Sequence, residues 1–264
     1  MPKIREDILR PFPRMGNKAR VMPILLDAMP KHNTIYDLFG GTGLVGLNAW
    51  THGKCKHIVY NEPYKPQYEI NEYFKQNKYD RNTREYPKQI VDKTLLDYEN
   101  DIYDREMLFS LQILGKGTLD ATIIKNATRT PNNTQYIIDR DEKFFTSWYE
   151  AQPECYNTSY IELIGKATKD DLVFLDPPYL NKAGYLQGKW TREREAILYA
   201  YCCELDHRGV KFMLTENHDD TFLIDLWRDY NSTLICDGYY NMHNISKECN
   251  SKHPKRREVL ITNY

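Results

Sequence analysis

Leu172-Val173-Phe174-Leu175-Asp176-Pro177-Pro178-Tyr179 decides the fold. Its first four residues form a continuous apolar run with β-branched and aromatic members, short enough for a strand buried on both faces of a parallel sheet. Pro177 ends that strand, because proline has no amide proton to give to a ladder. A second proline keeps the backbone extended, so Asp176 and the ring of Tyr179 hold a fixed relation at the strand's carboxyl end. In open α/β sheets that is where ligands bind. A lone Asp-Pro reads as a turn cap; the full tetrapeptide after such a strand reads as a site.

Upstream, Thr34 to Phe39 reads as a strand leading into Phe39-Gly40-Gly41-Thr42-Gly43-Leu44-Val45-Gly46 and a short helix that ends near His52-Gly53. Gly41, Gly43 and Gly46 have the G-x-G-x-x-G spacing of a loop whose backbone comes close to a ligand. His57 to Tyr60 follows as a second strand, closed by Asn61-Glu62. Glu62 lies about twenty residues past the loop, where a carboxylate can take both hydroxyls of a ribose. Glycine loop and acid together predict a nucleoside-containing cofactor. Before them, Arg14-Met15-Gly16-Asn17-Lys18 precedes Ala19 to Met29, whose Val21, Ile24, Leu25 and Ala28 have helical spacing. Gly16 suits a tight turn and Asn17 an N-cap. Lys18 then falls in the first turn, either as a surface lysine or as a cation serving an anionic ligand.

Composition bounds the answer. The chain has 264 residues, 41% hydrophobic and 28% charged, as in an ordinary soluble globular protein with a sizeable core. It has no apolar run of membrane-span length, and its basic, proline-containing start does not read as a signal peptide. The six cysteines have no paired metal-ligand spacing, which predicts reduced structural thiols, a cytoplasmic setting and no metal. A net charge of −1 gives no overall attraction for a polyanion, so any nucleic-acid face is local. Basic excesses lie in residues 1–20 and 247–257.

From Tyr64 to Pro153 the strand–helix alternation stops. One crossover helix suffices between parallel neighbours, so the surplus predicts an inserted lobe, residues 65–153, within a domain formed by 1–64 and 154–264. In the lobe, Tyr68 to Phe74, Ile90 to Tyr98 and Asp104 to Leu114 read as helices, Asn126 to Thr134 as a polar loop, and Tyr136-Ile137-Ile138 as the start of a strand. Lys125, Arg129, Tyr136, Arg140, Phe144, Phe145, Trp148 and Tyr149 suit stacking and phosphate contact, or, for most of the aromatics, the lobe's own core. Past the tetrapeptide come a helix from Trp190 to Leu205 capped by Thr191, a buried strand from Val210 ending at Thr215-Glu216-Asn217, and a helix from Thr221 to Tyr230. An antiparallel pair, Thr233 to Asn241 and Glu258 to Tyr264, closes the chain around a basic loop.

The combination resembles the adenine-specific DNA methyltransferases of the Dam type, the alpha group in which cofactor motifs precede the catalytic one. The resemblance rests on Met15-Gly16-Asn17-Lys18, Asp37-Leu38-Phe39-Gly40-Gly41-Thr42-Gly43, Asn61-Glu62, Asp176-Pro177-Pro178-Tyr179, the Lys211-Phe212 strand with Thr215-Glu216-Asn217, and the closing Glu258-Val259-Leu260-Ile261-Thr262-Asn263-Tyr264. It implies a Rossmann-like class I methyltransferase sheet, mostly parallel with an antiparallel last strand, and a mainly helical target-recognition lobe at 65–153. It also implies S-adenosylmethionine as cofactor, double-stranded DNA as partner, and a monomer or weak dimer associated with the nucleoid. Catalysis falls to Asp176, Pro177, Pro178 and Tyr179. Cofactor binding falls to Arg14, Gly16, Asn17, Lys18, Asp37, Phe39, Gly40, Gly41, Gly43, Glu62 and Asp176. Two departures leave the DNA target open. Arg14 stands where relatives often have an aromatic, and the family's arginine-and-glycine pattern for GATC is missing from the lobe.

Phosphate contact is expected from Lys252, Lys255, Arg256 and Arg257, and base reading from Arg129, Asn132, Asn133 and Arg140, whose side chains offer the donors a major groove requires. An RNA adenine methyltransferase shares the chemistry. A nicotinamide-dependent oxidoreductase fits the glycine loop and Glu62 but leaves Asp-Pro-Pro-Tyr without a task. The biological setting (restriction companion, host mimicry or regulation) stays open.

Overall fold

The strands of the computed structural model are β1 (Thr34–Asp37), β2 (His57–Asn61), β3 (Glu154–Tyr156), β4 (Leu172–Leu175), β5 (Lys211–Asn217), β6 (Asn231–Gly238) and β7 (Arg256–Thr262). The structure describes residues 7–10, 18–79, 87–102, 104, 106–107, 131–180, 189–218, 220–238 and 256–264. Strand order is β3-β2-β1 in the N-terminal part of the chain and β4-β5-β7-β6 in the C-terminal part. β2 is parallel to both β1 and β3, and β4 is parallel to β5. β7 is antiparallel to both β5 and β6. This is the expected mostly parallel α/β sheet with an antiparallel closing strand.

Two compact units divide the chain, Met1–Tyr160 and Ile161–Tyr264. The first holds β1 to β3 with α1 (Met22–Ala28), α2 (Leu44–Thr51), α3 (Lys65–Gln76), α4 (Pro87–Glu99) and α5 (Pro131–Ala151). Its aromatic core joins α3 to α5. Phe74 stacks on Phe145 with centroids 3.7 Å apart, and Trp148 meets Tyr60 edge-on at 4.9 Å. Phe144, Phe145 and Trp148 are thus core residues, while Tyr149 is exposed.

The first unit differs from expectation at three places. First, the helix expected from Ala19 starts at Met22, after a 3₁₀ turn at Lys18–Arg20, with Val21 rather than Asn17 at its N-cap. Pro23 explains the shift: it fits the first turn, where no amide is needed, but would break a helix already running from Ala19. Second, residues 131–134 are helical rather than loop, and Tyr136-Ile137-Ile138 continue the 21-residue helix α5 instead of opening a strand. Pro131 opens that helix with φ already suitable, and three residues of β propensity are outweighed by a long run of i→i−4 bonds. Third, Glu154–Tyr156 form a short strand parallel to β2 that the periodicity did not reveal. Asn126 to Thr130 and most of Asp104 to Leu114 lie outside the described residues.

The second unit holds β4 to β7 with α6 (Ile161–Ile164), α7 (Arg192–His207) and α8 (Thr221–Leu226). Every residue of β4 is buried, as a strand covered on both faces must be. Thr191 caps α7 as expected, its hydroxyl accepting from the Arg194 amide at 3.4 Å. α8 ends at Leu226, short of the expected Tyr230, and Asp220 caps it.

Behind this sheet lies a buried carboxylate. Glu195 on α7 accepts from the indole N–H of Trp190 at 2.5 Å and of Trp227 at 2.9 Å. Burial pushes its carboxyl above the ordinary 4.5, although both indole bonds pull the other way. Glu195→Ala leaves two buried indoles without their acceptor, and denaturant titration should show a loss of about 2–4 kcal/mol. The native carboxyl holds its proton more tightly than the unfolded one. Wild-type stability should therefore fall as pH rises above the ordinary 4.5 and level off beyond the raised native value. Glu195→Gln should lack that slope.

Candidate functional site: a glycine loop and a strand-end tetrapeptide

In the first unit, β1 runs into a loop closed by two hydrogen bonds: the Gly40 amide to the Asn61 carbonyl at 2.9 Å, and the Gly43 amide to the Gly40 carbonyl at 2.7 Å. Gly41 and Gly43 have φ of +53° and +78°, the left-handed region where a side chain is strained. A Cβ added at Gly41 would meet nothing within 4 Å, so the loop is open on that side. Asp37, buried at the end of β1, accepts from the Gly46 amide at 3.1 Å and so ties the strand to the first turns of α2.

The loop is braced by residues that sequence reasoning missed. The Gly41 carbonyl accepts from the Tyr60 hydroxyl at 2.6 Å and from the Asn71 amide at 2.9 Å; Gln67 donates to Asn71 at 3.0 Å. A signal existed. Gln67 and Asn71 sit i,i+4 on the buried stripe of α3 beside Ile70 and Phe74, where an apolar pair would be ordinary.

Glu62 follows β2 directly and is only 4% exposed. Its carboxylate accepts from the Tyr64 amide at 2.8 Å, and its carbonyl from Asn157 at 2.7 Å. Phe39 packs on Tyr160 with ring centroids 5.0 Å apart. Lys18 is 5% exposed, in the turn before α1, not on the surface as the plainer reading had it. The first unit thus brings together Asp37, Phe39, Gly40, Gly41, Gly43 and Glu62 around the ends of β1 and β2, while Arg14, Gly16 and Asn17 lie outside the described residues.

In the second unit, Asp176 follows β4 at its carboxyl end, half-buried, with Pro177 and Pro178 buried and Tyr179 half-buried. Thr215 on β5 donates its hydroxyl to Asp176 Oδ1 at 2.8 Å. The Tyr179 hydroxyl donates to Glu258 Oε1 on β7. Both partners lie within longer motifs, and only the strand pairing shows what each one touches.

Of the residues expected to meet DNA, Arg140 is half-buried on α5 and Arg257 exposed on β7. Asn132 and Asn133 fall on α5 and Arg256 on β7, described in backbone only, while Arg129, Lys252 and Lys255 lie outside the described residues. Among the described residues no helix is long and apolar enough to cross a membrane.

Mostly parallel strands with a glycine turn after β1 and an acid after β2 make a Rossmann-like α/β arrangement. Residues 120–245, which include the tetrapeptide and β5, match the family model of the D12 class N6 adenine-specific DNA methyltransferases. Modification methylase LlaI of Lactococcus lactis subsp. lactis is 29% identical over 282 residues, covering 96% of this chain and 43% of the relative. Modification methylase StsI of Streptococcus sanguinis is 24% identical over 286 residues, covering 97% and 43%. The chain therefore spans less than half the length of these relatives. Among solved structures, a precorrin-6y C5,15-methyltransferase from Geobacter metallireducens GS-15 aligns over 97% of this chain and 93% of its own, with 12% identity and a TM-score of 0.41, too distant to carry an argument. Over these stretches the chain is similar to adenine-specific DNA methyltransferases.

Proposed function

We propose that the chain transfers a methyl group from S-adenosylmethionine to the exocyclic N6 amine of an adenine flipped out of duplex DNA. The observation that carries this reading is Asp176-Pro177-Pro178-Tyr179 at the end of buried β4, inside the stretch that matches the adenine-methyltransferase family.

The amine is a poor nucleophile because its lone pair is delocalised into the purine ring. Asp176 accepts a hydrogen bond from one N–H of the amine and the Pro177 carbonyl from the other, which favours the tetrahedral nitrogen whose lone pair can attack; as the N–C bond forms the S–C bond breaks, S-adenosylhomocysteine leaves, and the nitrogen then gives up one proton. Catalysis of this kind is positioning and electrostatics, with no covalent step on the protein. The base must leave the duplex to be reached, and the Tyr179 ring gives it a stacking surface. S-adenosylmethionine supplies an electrophilic sulfonium methyl.

The open side at Gly41, the left-handed turn and the acid after β2 suit such a cofactor. Glu62 is assigned to the ribose, the backbone of Gly40, Gly41 and Gly43 to the methionine portion, and Lys18 to its carboxylate. Arg14, Gly16, Asn17, Asp37 and Phe39 complete that side of the site. Glu62→Ala should weaken S-adenosylmethionine binding by about 1–3 kcal/mol, the scale of charge-assisted hydrogen bonds. Unchanged affinity in calorimetry would remove Glu62 from the site.

Residues 65–153 are assigned to target recognition within a catalytic domain of 1–64 and 154–264. Arg129, Asn132, Asn133 and Arg140 would read bases, while Lys252, Lys255, Arg256 and Arg257 would contact phosphates, with the protein at work on cytoplasmic DNA. Methylation-aware sequencing of plasmid DNA from cells expressing the chain tests the function. N6-methyladenine at a defined sequence is expected, and its absence from DNA exposed to folded protein and cofactor would overturn the reading.

A further inference from the structure

We propose that Thr215 and Glu258 are positioning residues that hold the two working side chains of the tetrapeptide, Thr215 the carboxylate and Glu258 the tyrosine ring. The proposal rests on the adenine-methylation reading above. It follows from strand register. β4 and β5 are parallel with Leu175 beside Leu214, so the next pair along is Asp176 and Thr215, and their side chains meet at 2.8 Å. Asn217 lies two residues beyond Thr215 and on the same face, and its partner across the antiparallel ladder is Glu258. Both holding groups therefore stand on one face of the sheet. A slip of one residue in either pairing would send one of them to the other side.

Each contact restrains a motion that matters to the reaction. The carboxylate torsion of an aspartate is broad, with no staggered wells to fix it, so an unrestrained Asp176 would spread its acceptor lobes over many directions. The Thr215 hydroxyl sits on a fully buried, β-branched side chain with restricted χ1, and aims one donor at Oδ1. Glu258 is also buried, and its carboxylate accepts a hydrogen bond from the Tyr179 phenol O–H. That bond holds the far end of the ring, while Pro178 fixes the backbone from which it projects. Orientation of this kind acts on turnover more than on cofactor affinity, because the reacting amine meets these groups only after it enters the site.

The test compares near-isosteric variants of the full chain, with duplex DNA of the mapped target sequence and S-adenosylmethionine. Thr215→Val keeps the volume and loses the donor, whereas Thr215→Ser keeps the donor. The expected result is kcat at least about tenfold lower for Thr215→Val, KM for S-adenosylmethionine within about twofold of wild type, and Thr215→Ser restored to within about threefold. Glu258→Ala should lower kcat, and Glu258→Gln, which keeps an acceptor oxygen, should restore it. If the valine and serine variants turn over alike, or only the cofactor KM moves, the Thr215 assignment is wrong. Should Thr215→Val fail to fold, a double-mutant cycle between Tyr179→Phe and Glu258→Ala decides: loss of kcat in the double variant no greater than in either single supports the pair, and fully additive losses overturn it. An inert wild-type chain, by contrast, would overturn the methylation reading itself, and the holding role with it.

Discussion

Asp176→Ala should reduce methyl transfer by at least about 10³-fold, a loss of roughly 4 kcal/mol in transition-state stabilisation. The magnitude follows from what the residue does. In the proposed role it supplies the one carboxylate of the tetrapeptide that can accept from the adenine amine, and without it the nitrogen would keep its lone pair in the ring. Stability should change little in comparison. Asp176 is half-buried, and its removal costs the Thr215 hydroxyl this acceptor, a net effect of about 1 kcal/mol. Asp176→Asn sharpens the test: its amide oxygen can still accept from Thr215, while the negative charge is gone. Both variants should unfold within a few degrees of wild type and both should fail to methylate. Single-turnover assays at saturating cofactor give the measurement. Turnover of Asp176→Ala within about tenfold of wild type, a cost of only about 1.4 kcal/mol, would remove Asp176 from the chemistry.

Much of the fold was legible because its signals are local. β4 reads as a strand from four consecutive apolar residues, and Pro177 marks its end. The glycine loop reads from spacing alone, and Glu62 from its distance along the chain. What stayed hidden depends on partners far away in sequence. The hydrogen bond of Thr215 to Asp176 spans 39 residues and that of Tyr179 to Glu258 spans 79. No periodicity carries such pairings; only register does.

Local propensity misleads where packing decides the conformation. Tyr136-Ile137-Ile138 has β-branched and aromatic character, yet lies within α5, whose C-terminal half buries Phe144, Phe145 and Trp148 in the first unit. Tertiary burial of that stripe sets the conformation of the whole element. Burial pushes the Cys155 thiol well above its ordinary range, and its place on β3 depends on pairing with β2, a strand far away in sequence.

Gly43→Ala should be the most damaging single methyl in the first unit. Gly43 has φ of +78°, where alanine is disfavoured by about 1–2 kcal/mol. The added Cβ would also lie 2.1 Å from Cζ2 and 2.8 Å from Cη2 of Trp148, far inside contact distance. Trp148 cannot simply swing away. Its side chain is 1% exposed and packed edge-on against Tyr60, whose hydroxyl braces the Gly41 carbonyl. Relief must therefore come from backbone movement at the loop or from displacement of α5, and overpacking of this sort costs a further 1–3 kcal/mol or so. A total of about 2–5 kcal/mol is expected in denaturant unfolding. Surviving folded protein should bind S-adenosylmethionine poorly because the loop has moved. Gly41→Ala is the matched control, with the same left-handed strain and no neighbour within 4 Å of the new methyl. It should cost only the conformational part, about 1–2 kcal/mol. Equal stability losses in the two variants would show that Trp148 yields freely and that the loop is not held from behind.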